Sequence, residues 1–100
     1  MFIGIARFEL FMPEARSLKD KRQVLRSLVM TVRKRFPVAV AEVEFQDLWQ
    51  RAAVGISCVA ESSGHCRSVL EEVERTIGKT VIGGAEITAR RFEYVALEDL

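Results

Sequence analysis

Eight basic side chains crowd into residues 16–35: Arg16, Lys19, Lys21, Arg22, Arg26, Arg33, Lys34 and Arg35, against one acid, Asp20. Guanidinium and ammonium groups at that density do one kind of chemistry unaided, the neutralisation of an anion. The stretch carries a formal +7. The whole chain has 15 basic and 14 acidic residues, so the other eighty hold seven bases and thirteen acids, or −6. A nearly neutral protein therefore hides a strong charge separation. Groups suited to bond-making are sparse. The single histidine, His65, stands beside Cys66, and the spacing of Cys58 and Cys66 fits neither a metal site nor a redox pair. Nor does the sequence hold a Ser-His-Asp set or a glycine-rich phosphate loop. The residue types point to binding without catalysis. No metal or cofactor is expected, and the two cysteines read as reduced core residues of a cytoplasmic protein.

The elements that must hold these groups follow from periodicity. Residues 2–12 alternate, with Phe2, Ala6, Phe8, Leu10 and Met12 on one face and Ile3, Ile5, Arg7, Glu9 and Phe11 on the other, a strand that Pro13 stops. Ser17 starts a helix, with Asp20 three residues on, and the spacing of Leu18, Leu25, Leu28, Val29, Val32 and Phe36 carries it to Pro37. Residues 38–45 predict a second strand whose more apolar face holds Ala39, Ala41, Val43 and Phe45. Residues 46–51 form a polar connection around Trp49, and 52–60 a third strand. Val69, Leu70, Val73 and Ile77 mark a second helix ending near Gly78. Gly83-Gly84 reads as a turn, and 86–97 as a last strand. The order β-α-β-β-α-β, with right-handed crossovers, predicts an α+β ferredoxin-like sandwich. Both helices should lie on one face of a four-stranded antiparallel sheet, with strands one and three central. One hundred residues make one such domain. An apolar fraction of 49% with 29% charged residues excludes disorder. No apolar run nears the ~20 residues of a membrane span, and the amino-terminal residues lack the basic leader of a signal peptide.

On the first helix, turns of about 100° per residue place Lys19, Arg22, Arg26 and Arg33 in one stripe beside the core face. Four cations in line match the spacing of phosphates along a nucleic-acid backbone; a plain solvated face with long stems over the core edge is the other reading. Lys21 falls inside the apolar arc, where an unpaired ammonium is costly. Two readings stay open. In one, Lys21 escapes past the helix end and, with Arg16, Ser17, Lys19 and Arg22, cradles one phosphate at the helix N-terminus. In the other, it pairs with Glu42, Glu44 or Asp47.

The second cluster, Gln46, Asp47, Trp49, Gln50 and Arg51, reads as a recognition loop with the indole as a stacking platform, or as a hairpin that simply covers the sheet edge. Together Ala15-Arg-Ser-Leu-Lys-Asp-Lys-Arg22 and Val40-Ala-Glu-Val-Glu-Phe-Gln-Asp-Leu-Trp-Gln-Arg-Ala52 resemble the YlxP-like family of small bacterial proteins over nearly the whole chain. The resemblance implies a ferredoxin-like fold without recognised catalytic chemistry. It also implies a translation-linked RNA role, since the family's genes often neighbour those of translation initiation and ribosome maturation factors. The family often has Asp-His where this chain has Glu44-Phe45, so no histidine role carries over there.

The function expected is a non-catalytic RNA- or ribosome-associated factor, with RNA or the small ribosomal subunit as partner and Arg16, Ser17, Lys19, Lys21, Arg22, Arg26 and Arg33 as the anion-binding set. The runner-up is a protein-interaction or homodimeric module whose basic helix meets an acidic protein. An acylphosphatase-like enzyme would bind phosphate in the loop before the first helix, but Met12-Pro-Glu-Ala-Arg16 has no glycine there and Glu14 would repel the anion. Stacking of bases on the open sheet face is not expected, because strand three offers only Ala53, Gly55 and Ser57 there.

Overall fold

Alternation in the first strand, β1 (Phe2–Phe11), has the consequence a period of two requires. Ala6, Phe8, Leu10 and, just beyond, Met12 are buried, while Ile5 is exposed and Glu9 half-buried on the reverse face. A computed structural model describes residues 1–80 and 85–100, and in it the chain continues through α1 (Leu18–Arg35), β2 (Ala39–Glu44), β3 (Arg51–Ala60), α2 (Ser63–Thr80) and β4 (Glu86–Ala96), with a 3-10 turn at Leu97–Asp99. The expected Gly83-Gly84 turn lies outside the described residues. The four strands form an antiparallel sheet in the order β2-β3-β1-β4. β1 and β3 are therefore central and β2 and β4 are edges, the arrangement of a ferredoxin-like sandwich.

Both helices put their apolar stripes into one core. Leu25, Leu28 and Val32 of α1 meet Cys66, Leu70, Val73 and Ile77 of α2 over the inward rows of the sheet. Within it Phe8 and Phe92 pack edge to face with centroids 5.6 Å apart. α2 approaches β1 closely at Gly4, where a Cβ would stand 2.9 Å from Cys66 Cβ and 3.0 Å from Leu70 Cδ1. No helix among the described residues is long and apolar enough to cross a membrane.

The face of β2 is inverted relative to expectation. Ala39, Ala41 and Val43 are exposed, whereas Val40 is buried and Glu42 half-buried. Register explains it: Val40 lies opposite Ile56 and Glu42 opposite Val54, both inward residues of β3. The more apolar face is the open one because the charge on the inward face has a partner, described below.

Cys58 and Cys66 are free and buried. Burial first, then the neighbouring Cys66 thiol, pushes the Cys58 thiol up from an ordinary 9.0 to about 11. A thiol held neutral in the fold but ionised when unfolded stabilises fully below pH 9, and that contribution is lost as pH rises toward 11. The urea midpoint should thus fall across this window, and less steeply in Cys58→Ala. Gly4→Ala should lower stability by about 1–3 kcal/mol through overpacking, measured by urea denaturation.

Candidate nucleic-acid interface

The start of α1 is closed by its own residues. Ser17 Oγ accepts a hydrogen bond from the Asp20 N–H at 3.1 Å, and Asp20 Oδ2 accepts one from the Arg16 N–H at 2.9 Å. An anion is therefore already seated at the positive pole of the helix, namely the Asp20 carboxylate.

Lys21 is 1% exposed and turns away from that pole. Its Nζ lies 3.0 Å from Glu42 Oε2 and donates to the Phe45 carbonyl, with the Gln46 carbonyl at 3.5 Å. Glu42 Oε2 is buried and accepts no well-aligned hydrogen bond, so attraction between charges holds the pair. The cradle of Arg16, Ser17, Lys19, Lys21 and Arg22 consequently does not assemble: Ser17 is engaged as the cap and Lys21 as an ion-pair partner. Of the two readings for Lys21, the structure takes the salt bridge.

The remaining cations of α1 divide by what they touch. Arg33 donates from Nη2 to the Val40 carbonyl at 2.8 Å, across the edge of β2. The guanidinium of Arg35 lies over the Phe36 ring. Arg16, Lys19, Arg22 and Arg26 are exposed, and their side chains enter no ion pair among the described residues. Arg22 and Arg26 stand on the wall of a groove of about 210 Å³ whose apolar lining includes Leu25, Val29 and Val54. Glu42 also lines it, and Lys21 offsets that carboxylate, so the two arginines set the local charge. Helical geometry puts Met30, 62% exposed, beside this stripe and outside the apolar periodicity.

The loop between β2 and β3 also splits. Gln50 is a staple: its Nε2 donates to the carbonyls of Pro13 at 3.1 Å and Ala15 at 3.3 Å, while its own carbonyl accepts the Met12 N–H at 2.8 Å. Arg51 points to the open sheet face, where Glu9 accepts from Arg51 at 2.8 Å and from Arg7 at 2.9 Å. Arg7 also reaches Glu44 at 3.2 Å. Hydrogen bonds from Arg7 first, then Arg51, hold the Glu9 carboxyl below its ordinary value. The Phe45 ring sits among these groups, 4.1 Å from the Arg51 guanidinium, on a left-handed backbone with φ of 64°. Its carbonyl accepts both the Leu48 N–H and Lys21 Nζ. Gln46 is exposed, with its carbonyl facing Lys21. That leaves Asp47, Leu48 and Trp49 at the tip, around a cleft of about 440 Å³ that Phe11 helps to line; the indole is 54% exposed. The Gln50 staple fixes this tip beside the loop bearing Arg16. Sequence reading missed Phe45 and Arg7 as parts of the site's frame. The left-handed turn at Phe45 has no glycine to signal it.

Fold and site together define a small ferredoxin-like protein with a cationic helix face and an exposed indole beside it. Among solved structures, similar folds occur in a de novo designed ferredoxin-fold protein (TM-score 0.57, 12% identity, 97% of this chain and 88% of that one). A putative chlorite dismutase (0.61, 6%, 98% and 46%) and a C-terminal segment of the alpha subunit of aIF2 from Pyrococcus abyssi (0.53, 18%, 97% and 51%) are also similar. The chain spans about half of each of the latter two. Residues 3–91 match the family DUF503, described as a protein of unknown function, and the chain belongs to that family. It is 36% identical over 88 residues to the uncharacterized protein YlxP of Bacillus subtilis (strain 168), covering 78% of this chain and 96% of the relative.

Replacing Lys21 by Met should cost about 3 kcal/mol, near the low end for breaking a buried pair because Glu42 keeps some solvent contact. Lys21→Met/Glu42→Leu should recover most of it, and a double-mutant cycle in urea measures both.

Proposed function

We propose that this protein is a non-catalytic RNA-binding factor that grips backbone phosphates with one face of α1. One observation carries the reading: the cations facing solvent on α1 enter no ion pair among the described residues, while five of the seven cations outside residues 16–35 do. Arg7, Arg51, Arg75, Arg90 and Arg91 each pair with a glutamate at 2.6–3.2 Å. Glu9, Glu44, Glu72, Glu74 and Glu93 are thus engaged away from Lys19, Arg22 and Arg26, whose charge is left for an external polyanion. Arg16 extends this surface toward the loop tip. There Trp49 offers its ring for stacking by an unpaired base, an interaction that tolerates any sequence. The resemblance to the YlxP-like family, with its genes near those of translation factors, directs the test to the small ribosomal subunit.

Co-sedimentation with purified small subunits over a salt series tests the reading. Binding should weaken steeply with salt, and Lys19→Ala/Arg22→Ala/Arg26→Ala should flatten the slope by roughly 2, at about 0.7 for each phosphate no longer neutralised. Trp49→Ala should weaken binding by about 1–3 kcal/mol with the slope unchanged. Salt-insensitive binding, or none at low salt by the folded protein, would overturn the proposal and direct the search to an acidic protein partner.

A further inference from the structure

The side of the sheet away from the helices has no cover among the described residues. Its uppermost row is apolar, with Ile3, Val59 and Val95, and the next holds Ala39, Ser57, Ile5 and Glu93. Ile5 is 44% and Val59 64% exposed. Beside Ile5, the small residues Ala39, Ala41, Gly55 and Ser57 leave a depression of about 260 Å³. Gly55 has no room for a larger side chain, since a Cβ there would stand 2.9 Å from Val43 Cγ1. A ridge of β1 and a hollow over β2 and β3 thus adjoin on one surface.

We propose that this open sheet face is the surface through which two copies of the chain pair. Three features select a second copy as the occupant. The first is shape: a two-fold axis sets the Ile5 ridge of each copy against the hollow of the other, the self-complementarity that an isologous contact requires. The second is charge. The charged residues of the face are three arginines, Arg7, Arg51 and Arg91, against four glutamates, Glu9, Glu44, Glu86 and Glu93, and each arginine is within 3.2 Å of a glutamate of its own copy. A patch so nearly balanced in charge repels its own copy little. It gives a polyanion nothing to neutralise, and a strongly charged protein would find half its charges opposed. The third is size. Strands of ten, six, ten and eleven residues cover roughly 600 Å² in projection, close to the ~800 Å² per partner of a stable interface. The face lies opposite α1, so pairing leaves the cationic helix exposed and stands independently of the RNA reading.

Sedimentation velocity of the full chain, from micromolar to several hundred micromolar, tests this. The expected result is a species of twice 11.3 kDa, which Ile5→Lys/Val59→Lys converts to monomer while circular dichroism and cooperative melting persist. Should that pair of lysines unfold the chain, Ser57→Arg, which fills the hollow, takes its place and should likewise give monomer. Arg22→Ala/Arg26→Ala should remain dimeric, separating this surface from the helix. A wild type that stays at 11.3 kDa throughout, open-ended association, or a dimer that survives in the folded face variants would overturn the proposal; a monomer would leave the face to a different protein.

Discussion

The ammonium of Lys21, buried where α1, β2 and the hairpin loop converge, is the interaction on which the rest of this structure depends. Three acceptors meet its donors: the Glu42 carboxylate on β2, and the Phe45 and Gln46 carbonyls just beyond it. Glu42 can face inward only because of it, and with Glu42 inward the period of two puts Ala39, Ala41 and Val43 on the open face. The same ammonium holds the Phe45 carbonyl while that residue occupies a left-handed conformation that costs an ordinary side chain roughly 1–2 kcal/mol. The hairpin beyond it then turns back so that Gln50 reaches the loop before α1. Sheet face, loop course and helix position are therefore linked through one charge.

Charge is sorted by surface. On the open sheet face arginines and glutamates alternate at close range and cancel, with the Phe45 ring between two of the guanidinium groups. On α1 the acids are absent apart from Asp20, and that one is engaged with the turn that starts the helix. Exposed ion pairs of the first kind add little stability. Their larger effect is to leave the open sheet face electrostatically quiet, while α1 keeps its positive charge.

Local patterns carried most of the architecture. Alternation in β1, the apolar stripe of α1 and the stops at Pro13 and Pro37 are short-range signals, and they placed the elements within a residue or two of their observed ends. Lys21 stood out as an anomaly in that stripe, and Glu42 was among the partners it implied. What stayed hidden depends on residues far apart in the chain. The face of β2 was misread because Glu42 marks its own side as polar, and the ion pair that lets it face inward spans residues 21 and 42. Gln50 and Arg51 read as parts of an exposed tip, yet their partners are 37 and 42 residues away, at Pro13 and Glu9. Composition cannot reveal that a polar side chain in a loop is turned back onto the fold.

The positive φ at Phe45 bears on how this position is allowed to vary. Left-handed backbone favours glycine first, and then asparagine, aspartate and histidine, whose short or planar polar side chains suit it. The Asp-His that the resemblance to YlxP-like chains implies here would put one of the tolerated residues at this backbone. A phenylalanine is the more demanding occupant, and it comes with Arg7 and Arg51 against its ring. The side chain at 45 is thus constrained by chain geometry, and substitutions at 7, 45 and 51 act on one packed cluster.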